Sequence, residues 1–302
     1  MFKRIVLTTD FSPHAAVARD VAKWLARTYS AHLWVVTVLE PVEEPLDWIN
    51  QPPAVSSWKW QKMLQKQQRK LKQEKRDNLD QWVADLRKAG IEVTDVVREG
   101  DPDKEIVAVA QEVNADLIVM GSHSRRTFWD VVLGSVTAKV VAEAPCPVMV
   151  VSHRPPHSGT TPQRILVAMD FSTYAEAATR TALSLAQEGG HELAFVIVPD
   201  GVSAEEAQQR LESRLEEARA KGIKVDVLVR EGDKVKEICK AALDVEADII
   251  VMGSHSESGL GEKLLGKVTE GVTKCAPCPV LIISGKEKHI TKMGTSAEGT
   301  SS

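Results

Sequence analysis

Two glycine-containing stretches have the residue types of an anion-binding loop. The first reads GSHSRRTFWDVVLGSVT from Gly121 to Thr137, and the second reads GSHSESGLGEKLLGKVT from Gly253 to Thr269. In each, a second glycine follows thirteen positions later and opens an apolar helical pattern. Free N–H groups and the positive dipole end of a helix attract phosphate, so both stretches indicate a phosphate site. We expect the first glycine to let the chain turn sharply and bring N–H groups near the anion.

Length and composition predict a soluble protein with two domains. The 302 residues are 43% hydrophobic and 26% charged, and the net charge of −4 is too small to indicate a nucleic-acid or membrane partner. The opening MFKRIVLTTDFS lacks the apolar run of a signal peptide, and no run of 18 apolar residues follows. We therefore expect a cytoplasmic location.

Four cysteines do not predict a disulfide framework in a chain of this kind. They are Cys146, Cys239, Cys275 and Cys278. The last two form CAPC, but this motif follows a helix pattern and precedes a strand pattern. A redox CxxC stands at the start of a helix, so CAPC is better interpreted as a structural turn.

The chain is an internal repeat. From Val97, a 28-residue segment aligns without gaps to the segment from Val229, at an offset of 132 and with nineteen identities. Near the start, LTTDFS aligns with VAMDFS at an offset of 160, so the second copy lacks about 28 residues. The expected organisation is domain 1 at 1–152 with an insertion at about 41–76, a linker at 153–163, domain 2 at 164–285 and a disordered tail at 286–302.

Each copy alternates short apolar strands with amphipathic helices. This pattern predicts an α/β fold: an open, mostly parallel, five-stranded Rossmann-like sheet with helices on both faces. Such sheets bind ligands beyond the carboxyl ends of their strands, where the strand order reverses. The ends of the first and fourth strands are Asp10 and Gly121 in copy one, and Asp170 and Gly253 in copy two.

The combination of TTDFS, VMGSHS, LLGSVT and APCPVMVVS resembles the universal stress proteins, in their tandem two-domain form. The resemblance covers residues 1–152 and 163–284. It implies a strand order of 3-2-1-4-5 in each domain. It also implies that some members bind ATP through G-x2-G-x9-G-[S/T], whereas others lack the motif and bind none.

Both copies depart from that motif. Copy one has Ser124 at the second glycine position and keeps Gly134 and Ser135. Copy two has Ser256 there and Lys267 after Gly266. Arg125 and Arg126 in the first loop favour phosphate, whereas Glu257 and Glu262 in the second repel it, so copy one is the better candidate.

The resemblance also implies residue roles. An aspartate would lie near the ribose, a valine would meet adenine through its backbone, and the loop and helix start would hold the phosphates. The domain 1 positions are Asp10, Val38, Met120, Gly121, His123, Ser124, Gly134, Ser135, Val136 and Thr137. The weaker domain 2 positions are Asp170, Val198, Met252, Gly253, His255, Ser256, Gly266, Lys267, Val268 and Thr269. Each also has a structural interpretation: Asp10, for example, could serve only to organise the turn before Ser12.

The insertion contains three tryptophans and a basic run, QKMLQKQQRKLKQEKR. The spacing of Leu64, Leu71, Leu79, Val83 and Leu86 predicts a long amphipathic helix with a solvated basic face, in preference to a nucleic-acid site. The preceding loop would then be anchored by tryptophan near the domain 1 pocket, as a lid.

The function expected from these features is a stress-response protein whose domains bind a nucleotide. The expected cofactor is ATP, alone or with Mg²⁺. No catalytic residue and no metal-ligand set stands out. The alternatives are a scaffold that acts through protein contacts and a slow ATPase. The apolar last strands, PVMVVSH and PVLIISG, should pair as an intramolecular pseudo-dimer, because exposed apolar edges invite aggregation. Whether two chains form a homodimer stays open.

Overall fold

The computed structural model describes residues 1–40, 57–122, 133–152, 164–201, 203–255 and 265–284, with the backbone alone at 57–61. Several predicted features lie outside this part of the chain: the linker at 153–163, the tail at 286–302, the loop before Ser57 that contains Trp48, and the loop residues Arg125, Arg126, Glu257 and Glu262.

Domain 1 alternates strands and helices along the whole of its described length. Its elements are β1 (Arg4–Thr8), α1 (Pro13–Tyr29), β2 (His32–Leu39), α2 (Ser57–Lys88), β3 (Val93–Glu99), α3 (Pro102–Glu112), β4 (Leu117–Gly121), α4 (Ser135–Glu143) and β5 (Val148–Val151). The long helix predicted for the basic run is α2, whose Leu79, Val83 and Leu86 are buried. Leu71, further toward its start, is exposed.

Domain 2 repeats this order with a shorter second helix. Its elements are β6 (Arg164–Met169), α5 (Thr173–Gly189), β7 (Glu192–Ile197), α6 (Ala204–Ala220), β8 (Val225–Val229), α7 (Lys234–Asp244), β9 (Ile249–Gly253), α8 (Lys267–Cys275) and β10 (Val280–Ile283). The described part of the chain contains no helix with the length and apolar character needed to span a membrane.

All ten strands form one sheet, in the order β3-β2-β1-β4-β5-β10-β9-β6-β7-β8. Within each half the order is 3-2-1-4-5, as the resemblance implied, and the pairing is parallel, as the apolar pattern predicted. The halves meet where β5 pairs antiparallel with β10, with Met149 opposite Leu281, and both side chains are fully buried. Two hydrophobic cores cover the sheet, one on each face, and each contains residues from both halves.

The prediction about the cysteines is wrong for one pair. Cys239 of α7 and Cys275 at the end of α8 form a disulfide with their Cα atoms 6.2 Å apart. The expectation failed because the partner of Cys275 is 36 residues away in sequence and is brought near only when α7 packs on α8. Cys146 and Cys278 are free and buried, and desolvation raises the pKa of each thiol to about 12.

We expect a reductant to destabilise this protein through that disulfide alone. A cross-link across 36 residues contributes roughly 2–4 kcal/mol by restricting the unfolded chain. Dithiothreitol should therefore lower the urea midpoint of the wild type and leave that of Cys239→Ala unchanged. Under native reducing conditions Cys275, which is exposed, should react with iodoacetamide before Cys146 or Cys278. Equal urea midpoints with and without reductant would contradict the prediction.

Candidate functional site

A strained turn follows β1 and places Asp10 at the carboxyl edge of the sheet. Phe11 has φ +62°, a left-handed conformation that a bulky residue rarely adopts. Its ring packs edge-on against Trp82, with centroids 5.8 Å apart. Ser12 then caps α1, because its Oγ accepts from the Ala15 N–H at 3.2 Å. Phe171 in domain 2 has φ +61° and precedes the equivalent cap.

The two oxygens of Asp10 have different environments. Oδ1 accepts from the Ser12 N–H at 2.9 Å and so organises the turn. Oδ2 is buried, and no described residue provides it with a hydrogen-bond donor. A buried acceptor without a partner costs about 1–3 kcal/mol. The structural interpretation therefore accounts for one oxygen and leaves the other available to a ligand that donates a hydrogen bond.

The equivalent carboxylate of domain 2 has no buried, unsatisfied oxygen. Asp170 also accepts from its Ser172 N–H, at 3.0 Å, but the residue is exposed. Water can hydrate its second oxygen, so no unsatisfied acceptor is held in place there. The two domains share the turn and differ in the burial of its carboxylate.

Gly121 and Gly253 are required by packing, and the expected sharp turn is not their role. Neither has a positive φ. A Cβ on Gly121 would lie 3.2 Å from the carbonyl carbon and Cβ of His14 in α1. At Gly253 it would lie only 2.6 Å from the Cβ of Tyr174 in α5. The glycines let the first helix of each domain approach the end of the fourth strand.

The helix α4 presents its N-terminus at the same edge. Its cap is Gly134, which has no side chain to satisfy the helix, and its first internal bond runs from the Ala138 N–H to the Gly134 carbonyl at 2.9 Å. The N–H groups of Ser135, Val136 and Thr137 therefore lack acceptors within the helix. The Thr137 hydroxyl is already used, because it donates to the Gly121 carbonyl at 3.1 Å. The backbone, and not that hydroxyl, is what α4 offers to an anion.

The corresponding helix of domain 2, α8, begins differently. A Cβ on Gly266 would lie 2.9 Å from the Ser254 carbonyl, so this cap residue must be glycine. Lys267 follows at the first helical position and is exposed. The Thr269 hydroxyl donates to the Gly253 carbonyl at 2.9 Å, as in domain 1.

His255 lies in the loop that follows β9, and it is the one candidate histidine within the described residues. Its Nδ1 lies 3.0 Å from the Ser254 Oγ, and its ring lies 5.6 Å from that of Tyr174. Burial lowers the pKa of His255, which disfavours an imidazolium at neutral pH. This histidine therefore adds a hydrogen-bonding group to the domain 2 loop, without a positive charge.

The backbone carbonyl of Val38 lies at the carboxyl edge of the sheet, beside the end of β1. The last bond between β1 and β2 runs from the Thr9 N–H to the Val36 carbonyl, at 2.9 Å. Two residues further along β2, the Val38 carbonyl points to the same side, past the end of β1. It accepts from the Lys75 Nζ of α2 at 2.5 Å. Sequence reasoning missed Lys75, because it lies in the insertion and outside every motif.

Most of the remaining candidate residues that the structure describes belong to the hydrophobic core or pack against it. Met120 and Met252 are buried in the core, at 3% and 5% exposure, and Val136 and Val268 pack against that core. Val198 follows β7 and is half-buried. His123, Ser124 and Ser256 lie outside the described residues. The sheet thus brings Asp10, Val38, Gly121 and the start of α4 to one edge, and their counterparts to one edge of domain 2.

Comparisons with known proteins point to one family. A sequence model described as the universal stress protein family matches residues 1–152 and again 161–284. A universal stress protein of Thermus aquaticus is 36% identical over 157 residues, which are 50% of this chain and 99% of the relative. Another, of Mycobacterium tuberculosis, is 31% identical over 198 residues, 60% of this chain and 65% of the relative. The crystal structure of a universal stress protein from Archaeoglobus fulgidus covers 93% of this chain and 98% of its own, with a TM-score of 0.72 and 24% identity.

The two strand-end glycines predict different costs of substitution. Gly253→Ala places a methyl group 2.6 Å from Tyr174 Cβ and 2.9 Å from its carbonyl carbon, whereas Gly121→Ala meets atoms at 3.2 Å. We expect Gly253→Ala to lower the free energy of unfolding by about 1–3 kcal/mol and Gly121→Ala to lower it less. Urea denaturation of the two variants measures this. Equal losses in the two variants would contradict the prediction.

Proposed function

The chain belongs to the universal stress protein family, and we propose that it is a stress-response protein whose domain 1 binds a nucleotide. The observation that carries the proposal is the buried, unpartnered Oδ2 of Asp10. A ribose hydroxyl is a donor that would satisfy this oxygen, and an unpaired buried acceptor gives such a donor an advantage over water.

The order of the strands supports a nucleotide in particular. The N–H groups proposed to bind phosphate, at the start of α4, follow β4; the carboxylate of Asp10 follows β1; and the Val38 carbonyl lies next to the last residue of β2. These strands are neighbours in the order β4-β1-β2, at spacings of about 4.8 Å. An extended ligand with phosphate, sugar and base in line would therefore meet an anion site, an acceptor for hydroxyls and a backbone edge in that order.

Domain 1 is the better candidate on the described geometry. Asp10 is partly buried with its Oδ2 fully buried, and α4 follows the cap Gly134 and starts with Ser135. In domain 2 the carboxylate is exposed and Lys267 replaces the hydroxyl residue at the helix start. Lys267 would still supply a positive charge to a phosphate, so a weaker second site is part of the proposal. The resemblance to the family leads us to expect ATP, alone or with Mg²⁺.

The proposal extends to the location of the protein and to the arrangement of its two domains. We infer a cytoplasmic protein with domains at 1–152 and 164–285. The two domains would form an intramolecular pseudo-dimer, and the β5–β10 pairing supports this arrangement. In this proposal the pairing replaces the association of two single-domain subunits and buries the edge that each last strand would otherwise expose.

Asp10→Asn tests the site with little structural change. Asparagine keeps an Oδ1 that can accept from Ser12, but it replaces the free carboxylate oxygen with an N–H donor. Loss of a hydrogen bond to a charged group costs about 1.5–3 kcal/mol, so affinity should fall by roughly ten- to a hundredfold. Isothermal titration calorimetry with ATP, ADP and GTP, with and without Mg²⁺, measures the change.

Asp170→Asn is the matched control in domain 2. Its effect should be smaller, because Asp170 is exposed. If no nucleotide binds to the wild type at millimolar concentration, the proposal is wrong and a scaffold function is favoured. Phosphate release that Gly134→Val abolishes would favour a slow ATPase.

A further inference from the structure

The disulfide of domain 2 joins an exposed cysteine to a buried one. Cys275 is exposed at the end of α8, whereas Cys239 of α7 is only 8% exposed. Thiol–disulfide exchange begins when a thiolate attacks one of the two sulfurs, and its rate depends on access to that sulfur. A small thiol in solution can therefore reach the sulfur of Cys275, and Cys239 is the group that leaves.

Close packing of α7 on α8 brings these cysteines together. Val235 and Cys239 are four residues apart in α7, so they lie on one face of that helix. Gly271 and Cys275 share a face of α8 for the same reason. A Cβ on Gly271 would lie 2.6 Å from Cγ2 of Val235. The absence of a side chain at Gly271 thus lets the helices approach, and the Cα atoms of the two cysteines lie 6.2 Å apart one turn further on.

The same helix pair of domain 1 packs without a disulfide. The offset of 132 aligns Cys239 and Cys275 with Val107 and Glu143, which have no sulfur to join. Helices α3 and α4 nevertheless pack against each other. A helix pair that holds in domain 1 without the bond does not depend on it in domain 2. We therefore expect α7 and α8 to stay together when the bond is reduced, with both thiols still within reach of each other.

The arrangement of the four cysteines also favours exchange at this one pair. In a reducing compartment, such as the cytoplasm proposed above, disulfides are usually transient and act in catalysis or redox sensing. A redox-sensing cysteine is typically accessible and lies beside a second cysteine that resolves its oxidised form. Cys275 and Cys239 match this description, whereas Cys146 and Cys278 are both buried and free.

We propose that Cys275 is a site of reversible thiol modification, at which a low-molecular-weight thiol such as glutathione exchanges with the Cys239–Cys275 disulfide. The thiolate of the small molecule attacks the Cys275 sulfur, the bond between the cysteines breaks, and Cys239 leaves as a thiolate that takes up a proton. A second small thiol then attacks the sulfur of the first, which releases Cys275 and the small molecule as its disulfide. Two small thiols are oxidised and give up two protons, and the protein disulfide is reduced to two thiols.

Oxidation runs the same steps in reverse. Cys275 of the reduced protein attacks the small disulfide and carries one half of it as a mixed disulfide. Cys239 then attacks the Cys275 sulfur and expels that half as a thiol. The chain thereby responds to the ratio of reduced to oxidised thiol, which gives the proposed stress response an input that is independent of the nucleotide site.

The test is equilibration of the full chain with mixtures of reduced and oxidised glutathione, followed by acid quenching, alkylation and peptide mass mapping. As the mixture becomes more reducing, the wild type should change from the disulfide to two alkylated thiols, with little glutathione retained at any ratio. Cys239→Ser lacks the resolving thiol and should retain glutathione on Cys275. Cys275→Ser should take up glutathione on Cys239 roughly tenfold more slowly, because that thiol is buried.

Glu143→Cys is the matched control in domain 1. It places an exposed cysteine at the end of α4, with Val107 and no thiol at the partner position. This cysteine should accept glutathione and retain it, because nothing beside it can expel the adduct. Equal retention on Cys275 of the wild type would show that Cys239 does not resolve the mixed disulfide, and would contradict the proposal.

Three further results would overturn it. If the disulfide survives excess reduced glutathione in native buffer, it is a structural bond that does not exchange. If Cys275→Ser takes up glutathione as fast as Cys239→Ser, or if the adduct lies on Cys146 or Cys278, then Cys275 is not the site of attack. If the reduced wild type loses its far-ultraviolet circular dichroism, the bond is required for the fold and its reduction is not a reversible exchange.

Discussion

The turn between β1 and α1 is the constraint on which the candidate site depends. Phe11 holds a left-handed backbone that a β-carbon disfavours by roughly 1–2 kcal/mol, and packing against Trp82 offsets that cost. The turn lets Ser12 cap the helix and orients Asp10 so that one oxygen is used and the other is buried without a partner. Strain and an unsatisfied acceptor in one turn are typical of a site built for a ligand.

The two domains share the backbone features around the candidate site and differ in the side chains placed there. Both domains have the left-handed phenylalanine, the serine cap and the threonine hydroxyl that ties the helix start to the fourth strand. They differ in the burial of the strand-end carboxylate: Asp10 is partly buried and Asp170 is exposed. Interactions that hold the fold are thus repeated, whereas the groups at the edge of the sheet have diverged.

The disulfide is another difference between the two domains. Cys239 and Cys275 align with Val107 and Glu143, so domain 1 has no counterpart. The bond joins α7 to the end of α8, the helix whose start carries Gly266 and Lys267. Domain 1 has the longer second helix, whereas domain 2 has a covalent link between its last two helices.

The sequence by itself determined the repeat, the α/β fold and the strand ends at which Asp10 and Gly121 lie, because apolar periodicity and internal identity are local signals. The strand order came only from the resemblance to a known family. It could not decide which oxygen of Asp10 is satisfied, why Gly121 and Gly253 are glycines, or which cysteines pair. Those depend on atoms from other elements: His14 and Tyr174 at the helix starts, α7 against α8, and Lys75 from the insertion. Only tertiary packing brings such residues within hydrogen-bonding or contact distance, since nothing in their spacing along the chain records that they meet.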